Sequence, residues 1–398
     1  MKLFEKGEWK LLWPFYVEGF VPYLLHFVWI FMILYFTEIG FSLFQTGILM
    51  AITPLFALFF EIPTGAFADV YGRKASVILG YFLEGSGFLA LFFLTDFYHV
   101  VGVMALIGFG YTFSSGAKDA WVTDLIKHKK EDFLHGYFTK LHSLKNLAIV
   151  GAGFIGAFIV KMFGLSIIWL VGGFSFLISI VALLFAEERF VRREHQRGSF
   201  FDNVKKQTGA SVGYSKKHPV LFWFFSAMAI MSLASSLTGM LSWVPFLTDL
   251  GLPEHMFGYL GSAMAATGIF APLLVSKLYT KGQERSVLLY ATILQAVLLL
   301  AIFSVGGLGL AFLILLGFTF LEHGEFPAGR VYFHRFVPSR LRATVGSVES
   351  MIIAVIGIIG LPLAGWLVDS IGAQYTIALS GIVMIPAAVI FYSLKDKE

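Results

Sequence analysis

Four ionisable residues, Glu322, His323, Glu325 and Arg330, interrupt a single apolar stretch at about 309–334. A charged group in hydrocarbon is costly, so each such residue marks a proton site, a substrate contact or a partner in an ion pair. Glu322 and Glu325 stand three residues apart and share one face of a helix. Two carboxyls that close in a low dielectric resist being ionised together, which is the behaviour a proton carrier needs. His323 points elsewhere on the same helix, and histidine is a side-chain type suited to proton transfer at physiological pH. The chemistry these types and spacings offer is reversible protonation. The competing reading has Glu322 or Glu325 simply paired with a base, Lys118 or Arg330.

Further candidates lie in other apolar stretches: Glu18 and His26, Glu61, Glu84, Lys118 with Asp119, His142 with Lys145, and Glu349. Asp119 joins the proton-carrying candidates. Lys118 and Asp119 are adjacent, so on a helix they project about 100° apart and cannot both face one point. Which of the two faces inward is left open by the sequence. A lone His such as His26 is as often a satisfied polar group as a proton shuttle.

The elements that must position these groups are membrane spans. Of 398 residues, 58% are hydrophobic and 14% charged, with 44 phenylalanines; mean hydropathy is +0.80. Ordinary globular chains carry about 25% charged residues. Twelve stretches of twenty or so apolar residues recur, at about 12–36, 43–68, 75–95, 99–125, 139–161, 165–186, 220–247, 256–276, 286–306, 309–334, 345–367 and 374–393. Each suffices to cross roughly 30 Å of hydrocarbon as a helix. With both termini cytoplasmic, the inner loops collect basic residues from Lys127 to Arg342, while the outer loops hold Lys161 and acids such as Glu38, Asp96, Asp249, Glu254 and Asp369. That asymmetry orients the chain. The pI near 9.0 is then a topology signal facing anionic lipid, not a nucleic-acid site. No cleavable signal peptide is expected from MKLFEKGEWK. Cysteine is absent, which removes disulfides, thiolate metal sites and cysteine nucleophiles.

The polar stretch 187–219 divides the spans into an amino-terminal six (1–186) and a carboxy-terminal six (220–398). Phe200, Phe201 and Val204 within it suggest a short interfacial helix or a plain linker. The halves echo each other. FTEIGFSLFQTG at 36–47 matches LTDLGLPEHMFG at 247–258 with an offset of 211, and Gly116, Ala120 and Gly164 match Gly324, Ala328 and Gly372 with an offset of 208. Ser42 followed by Gln45 reads as a capping box opening the second span. Gly151, Gly153 and Gly156, and Gly357, Gly360 and Gly365, read as small residues for helix packing.

Between the second and third spans the chain reads EIPTGAFADVYGRK (61–74), where Gly65 and Gly72 would permit close approach around Asp69, Arg73 and Lys74. This stretch, with the fourth-span GFGYTFSSGAKDAWVTD, resembles the signature of the major facilitator superfamily, in particular its drug:proton antiporters of the tetracycline- and macrolide-efflux type. The first arginine of the signature is Val70 here; the fifth span lacks the antiporter proline and the fourth its mid-span arginine. The resemblance implies an all-α polytopic fold of twelve transmembrane helices in two pseudo-symmetric six-helix bundles. It implies that spans one, four, seven and ten line the cavity, which makes Glu18, His26, Tyr111, Lys118, Trp243, Glu322 and Arg330 substrate-binding candidates. It also implies a gate in which Asp69 and Arg73 engage Asp124 and the amino end of the eleventh span near Val345, assisted by Gly65 and Gly72. The second-half loop, Ser276 to Arg285, has Lys277 and Lys281 and no matching acid, so the gate is expected on one side only.

The function expected is secondary transport by alternating access: proton-coupled efflux of an amphiphilic, drug-like small molecule, by a monomer in the cytoplasmic membrane, in contact with lipid, without cofactor, metal or nucleic acid. The alternative within transport is a facilitator or proton symporter for uptake of a nutrient, siderophore or lipid-like metabolite. A polytopic enzyme or sensor is a remote alternative, since H-E-x-x-H, G-x-S-x-G, P-loop and EF-hand spacings are all absent.

Overall fold

Backbone groups that meet lipid must close their hydrogen bonds within the segment, and the apolar stretches do so as helices. The computed structural model describes residues 4–25, 27–129, 133–188, 219–337 and 342–394. Among these, twelve helical spans are long and apolar enough to cross a membrane. The first is built of helices Glu8–Leu25 and Val28–Glu38, and the next five are Leu43–Tyr71, Arg73–Leu91, Phe97–Lys129, Phe133–Phe163 and Ile167–Leu184. The seventh is Pro219–Leu237 with Met240–Asp249, followed by Met256–Val275, Glu284–Leu300, Leu308–Phe336, Arg342–Ile371 and Ala373–Ser393. His26 and the stretch holding Phe200, Phe201 and Val204 lie outside the described residues.

Helices outrun the apolar stretches. The fourth continues to Lys129, so Lys127 and Lys129 form a basic last turn and not a loop. Cations there complement the negative end of the helix dipole. Its start is capped by Asp96, which accepts the N–H groups of Tyr98 at 3.1 Å and His99 at 3.2 Å. Those bonds, His99's foremost, hold the exposed Asp96 carboxyl below its usual range. The capping box at the second span forms as expected: Ser42 N–H donates to Gln45 Oε1 at 2.9 Å, and Gln45 N–H to Ser42 Oγ at 3.1 Å.

The chain forms two compact units. The first holds residues 1–41, 52–195 and 253–262, so it contains the first span, most of the second, the third to sixth and the start of the eighth. Within it the third span packs on the fourth and sixth, and the first on the fifth and sixth. The third and fourth spans meet backbone to backbone: a Cβ on Gly80 would lie 2.7 Å from the Gly110 carbonyl oxygen, and one on Gly110 2.9 Å from that of Gly80. Gly153 of the fifth span likewise touches Gly258 of the eighth. The second unit holds residues 42–51, 196–252 and 263–398. There the ninth span packs on the tenth and twelfth, and the seventh on the eleventh and twelfth. Gly360 and Gly365 sit at close helix contacts as expected, whereas Gly357 has no heavy atom within 4 Å of its would-be Cβ.

Candidate functional site

In the first unit, the first, third and fourth spans bring a polar cluster together. Lys118 Nζ donates to Glu18 Oε1 at 2.8 Å and to the Tyr81 hydroxyl at 3.3 Å. The Tyr81 hydroxyl itself donates to the same Glu18 oxygen. Glu18 is 2% exposed, and its second oxygen is buried without a hydrogen-bond partner among the described residues. Beside them Glu84 accepts a 3.0 Å bond from Ser114 Oγ. This decides between the adjacent residues of the fourth span: Lys118 turns inward to the third and first spans, and Asp119 is exposed. Tyr81 was not a sequence candidate. Its signal was its spacing of three from Glu84, which puts both on one face of the third span.

In the second unit, the tenth span carries the other cluster. Glu322 Oε1 accepts from Ser235 Oγ of the seventh span at 3.2 Å. His323 Nδ1 lies 2.9 Å from Thr267 Oγ1 of the eighth. Glu325 faces Gln295 of the ninth, a fully buried side chain that was not a sequence candidate. Glu325 Oε2 and both amide atoms of Gln295 are buried without a hydrogen-bond partner among the described residues. Glu322 and Glu325 thus start from one helix face and turn to different neighbours. The bases proposed to neutralise them are engaged elsewhere: Arg330 pairs with Glu349 at 2.8 Å and lies over the Phe326 ring, and Lys118 pairs with Glu18. Neither Glu322 nor Glu325 has an ion-pair partner among the described residues. Of the aromatic candidates, Tyr111 is 41% exposed, whereas Trp243 is 1% exposed and packed against Phe246.

The third cluster surrounds the turn at Gly72, whose φ of 101° suits glycine. Arg73 donates to Asp124 Oδ2 at 2.5 Å and to the Ala120 carbonyl at 2.6 Å. Lys74 Nζ satisfies two carbonyls at the end of the sixth span, those of Leu184 and Ala186, both at 2.8 Å. Glu188 caps the third span by accepting the Lys74 N–H at 2.9 Å. Asp69 has no hydrogen-bond or ion-pair partner among the described residues. Two expectations need correcting. Gly65 makes no close approach, since a Cβ there would meet nothing within 4 Å. And the second half also carries an ion pair at the corresponding turn: Arg335 donates to Glu284 Oε2 at 2.5 Å, and Arg285 to the Leu394 carbonyl at 2.5 Å. The acid, Glu284, lies inside the Ser276 to Arg285 loop but not at the position matching Asp69, which is Lys277; it opens the ninth span instead.

A profile of the Major Facilitator Superfamily matches residues 19–321 and 225–398. The chain belongs to the major facilitator superfamily. Members are transporters, not enzymes, so this is a multi-pass membrane protein that binds a small-molecule substrate. It is 23% identical over 394 residues to an uncharacterized MFS-type transporter, YxaM, of Bacillus subtilis (strain 168), covering 92% of this chain and 90% of that one. It is 24% identical over 264 residues to the multi-drug resistance efflux pump PmrA of Streptococcus pneumoniae, covering 65% of this chain and 62% of that protein. Among solved structures it is similar to the nucleoside transporter NupG, with TM-score 0.79 and 15% identity over 96% of this chain and 98% of that one. It is also similar to a bacterial homologue of the iron transporter ferroportin, with TM-score 0.74 and 16% identity over 96% and 97% of the two chains. The fold is therefore that of this superfamily: all-α, twelve membrane helices, two pseudo-symmetric sets of six.

Proposed function

We propose that this superfamily member is a proton-coupled exporter of amphiphilic, drug-like small molecules, which alternates access by rocking two six-helix bundles. One observation supports the coupling above all: Glu322 and Glu325 of the tenth span have no ion-pair partner among the described residues, while Glu8 and Glu18 of the first span are each held by a lysine. A carboxyl placed so can be neutral in one state and ionised in another, which is what coupling requires. Moving a two-state balance from 1:99 to 99:1 takes about 5.5 kcal/mol, within reach of one or two protons crossing an energised membrane. The similarity to the efflux pump PmrA supports the outward direction. In this reading His323 and Asp119 assist the proton, and Glu18, His26, Tyr111, Lys118 and Arg330 meet the substrate, whereas the buried Trp243 packs the seventh span. Asp69, Arg73 and Asp124, with the Gly72 turn, hold the gate. The protein works as a monomer in the cytoplasmic membrane with both termini inside.

The test is transport in proteoliposomes. Glu325→Gln should abolish accumulation driven by a proton gradient while substrate counterflow persists; equal loss of both would remove the coupling role. A second reading, uptake by symport or facilitation, draws on the missing fifth-span proline. Accumulation of substrate by energised right-side-out vesicles would favour it, and exclusion would favour export.

A further inference from the structure

The first turn of the second span is capped from another span. A helix leaves its first backbone N–H groups without intrahelical acceptors, and a capping box reaches the third. Here Gln45, the third helical residue, is served by Ser42. The first two donors are served by Asp369, from the last turn of the eleventh span: Leu43 N–H reaches its Oδ1 at 3.1 Å and Phe44 N–H its Oδ2 at 2.8 Å. One carboxylate thus completes the cap and puts negative charge on the positive end of the helix dipole. The two spans are in backbone contact at the same place. A Cβ on Gly365 would lie 2.0 Å from the Leu43 carbonyl oxygen, and one on Gly47 2.4 Å from that of Leu361.

The sequence repeat supplies a comparison within the molecule. Gly47 and Leu361 correspond, at the offsets of 211 and 208, to Gly258 and Gly153. Those two glycines form the equivalent backbone crossing of the eighth and fifth spans, a would-be Cβ on Gly153 lying 2.1 Å from the Gly258 carbonyl oxygen. At that crossing the cap is dismantled: Ser42 corresponds to Pro253, Gln45 to Met256 and Asp369 to Lys161. The first N–H groups of the eighth span turn instead to nearby carbonyls, Met256 to Pro253 and Phe257 to Glu254. The same crossing therefore occurs twice, and one copy carries an electrostatic fastening.

We propose that Asp369 is a latch: its bonds to Leu43 and Phe44 hold the second and eleventh spans together at the end far from the Gly72 turn, and they must break for that end to open. The glycine crossings supply the fit, and the carboxylate supplies the part of the closing energy that a single side chain can switch. The proposal rests on alternating access but on neither proton coupling nor substrate, so it stands or falls separately from the export reading.

The test uses the full chain, whose natural lack of cysteine allows spin labels at Phe44→Cys and Ser370→Cys without further change. Pulsed electron–electron resonance in nanodiscs, without substrate or gradient, should give one short distance for the otherwise native protein. Asp369→Ala should add a longer population, the balance moving by roughly tenfold, as loss of a helix cap would allow. Asp369→Asn, which keeps the size and one good acceptor, should fall between and guards against a misfolded alanine variant. Ser42→Ala breaks the box at the same helix end but not the link between spans, so it should lower the melting temperature and leave the distance alone. Distributions for Asp369→Ala and Asp369→Asn that superimpose on the native one would overturn the latch. So would a Ser42→Ala variant that lengthens the distance as much as Asp369→Ala.

Discussion

At the scale of residues, what matters is which carboxylates have a cation and which do not. Glu18 is fully committed on one oxygen, to Lys118 and Tyr81. Breaking such a buried pair from one side leaves an uncompensated charge, at a cost of about 3–5 kcal/mol, whereas replacing both partners by apolar groups is close to neutral. Lys118→Met alone should therefore lower the melting temperature of the purified protein sharply. Lys118→Met with Glu18→Leu should recover most of the loss, and failure to recover would show that Lys118 has another essential partner. Glu322 and Glu325 have no ion-pair partner among the described residues, which is why their loss is expected to affect coupling more than folding.

At the scale of elements, the spans owe their closeness to glycine. At Gly80 and Gly110 each backbone carbonyl occupies the place of the other's missing Cβ. A side chain there cannot be accommodated by a rotamer change, since the obstacle is backbone, so the helices must separate. Gly110→Leu should cost at least about 3 kcal/mol, beyond ordinary core overpacking, and should appear as loss of the monodisperse peak in detergent chromatography. Gly65→Leu meets open space and should leave that peak unchanged. Gly65 was expected to allow a close approach and Gly110 was not among the packing glycines expected, because a glycine's neighbour is set by the helix crossing and not by the glycine.

At the scale of the whole molecule, both halves carry an ion pair at the turn that opens their third helix. The third span opens with Arg73, paired to Asp124 of the fourth; the ninth opens with Glu284, paired to Arg335 of the tenth. The signs are exchanged and the energetics differ. Asp124 is 55% exposed, so its pair is screened by water and contributes at most about 1 kcal/mol. Glu284 is 2% exposed, and losing its arginine strands a buried carboxylate. Arg335→Ala should therefore destabilise the protein in thermal unfolding far more than Arg73→Ala. Arg73→Ala should be visible chiefly in transport rate, and comparable melting shifts for the two would refute this assignment.

The sequence by itself determined the twelve spans, the capping box at Ser42 and the superfamily, because hydropathy, charge bias and turn chemistry are local and repeat along the chain. It also determined which residues are ionisable inside the membrane. The tertiary structure alone decided what each of them meets: Lys118 inward and Asp119 outward, Glu322 toward Ser235 and Glu325 toward Gln295, Arg330 spent on Glu349. It alone joined Asp369 to a helix end more than three hundred residues earlier in the chain. A carboxylate's behaviour in the membrane depends on the charge and hydrogen-bond donors within a few ångströms, and those come from other spans, whose rotation and depth no local pattern encodes.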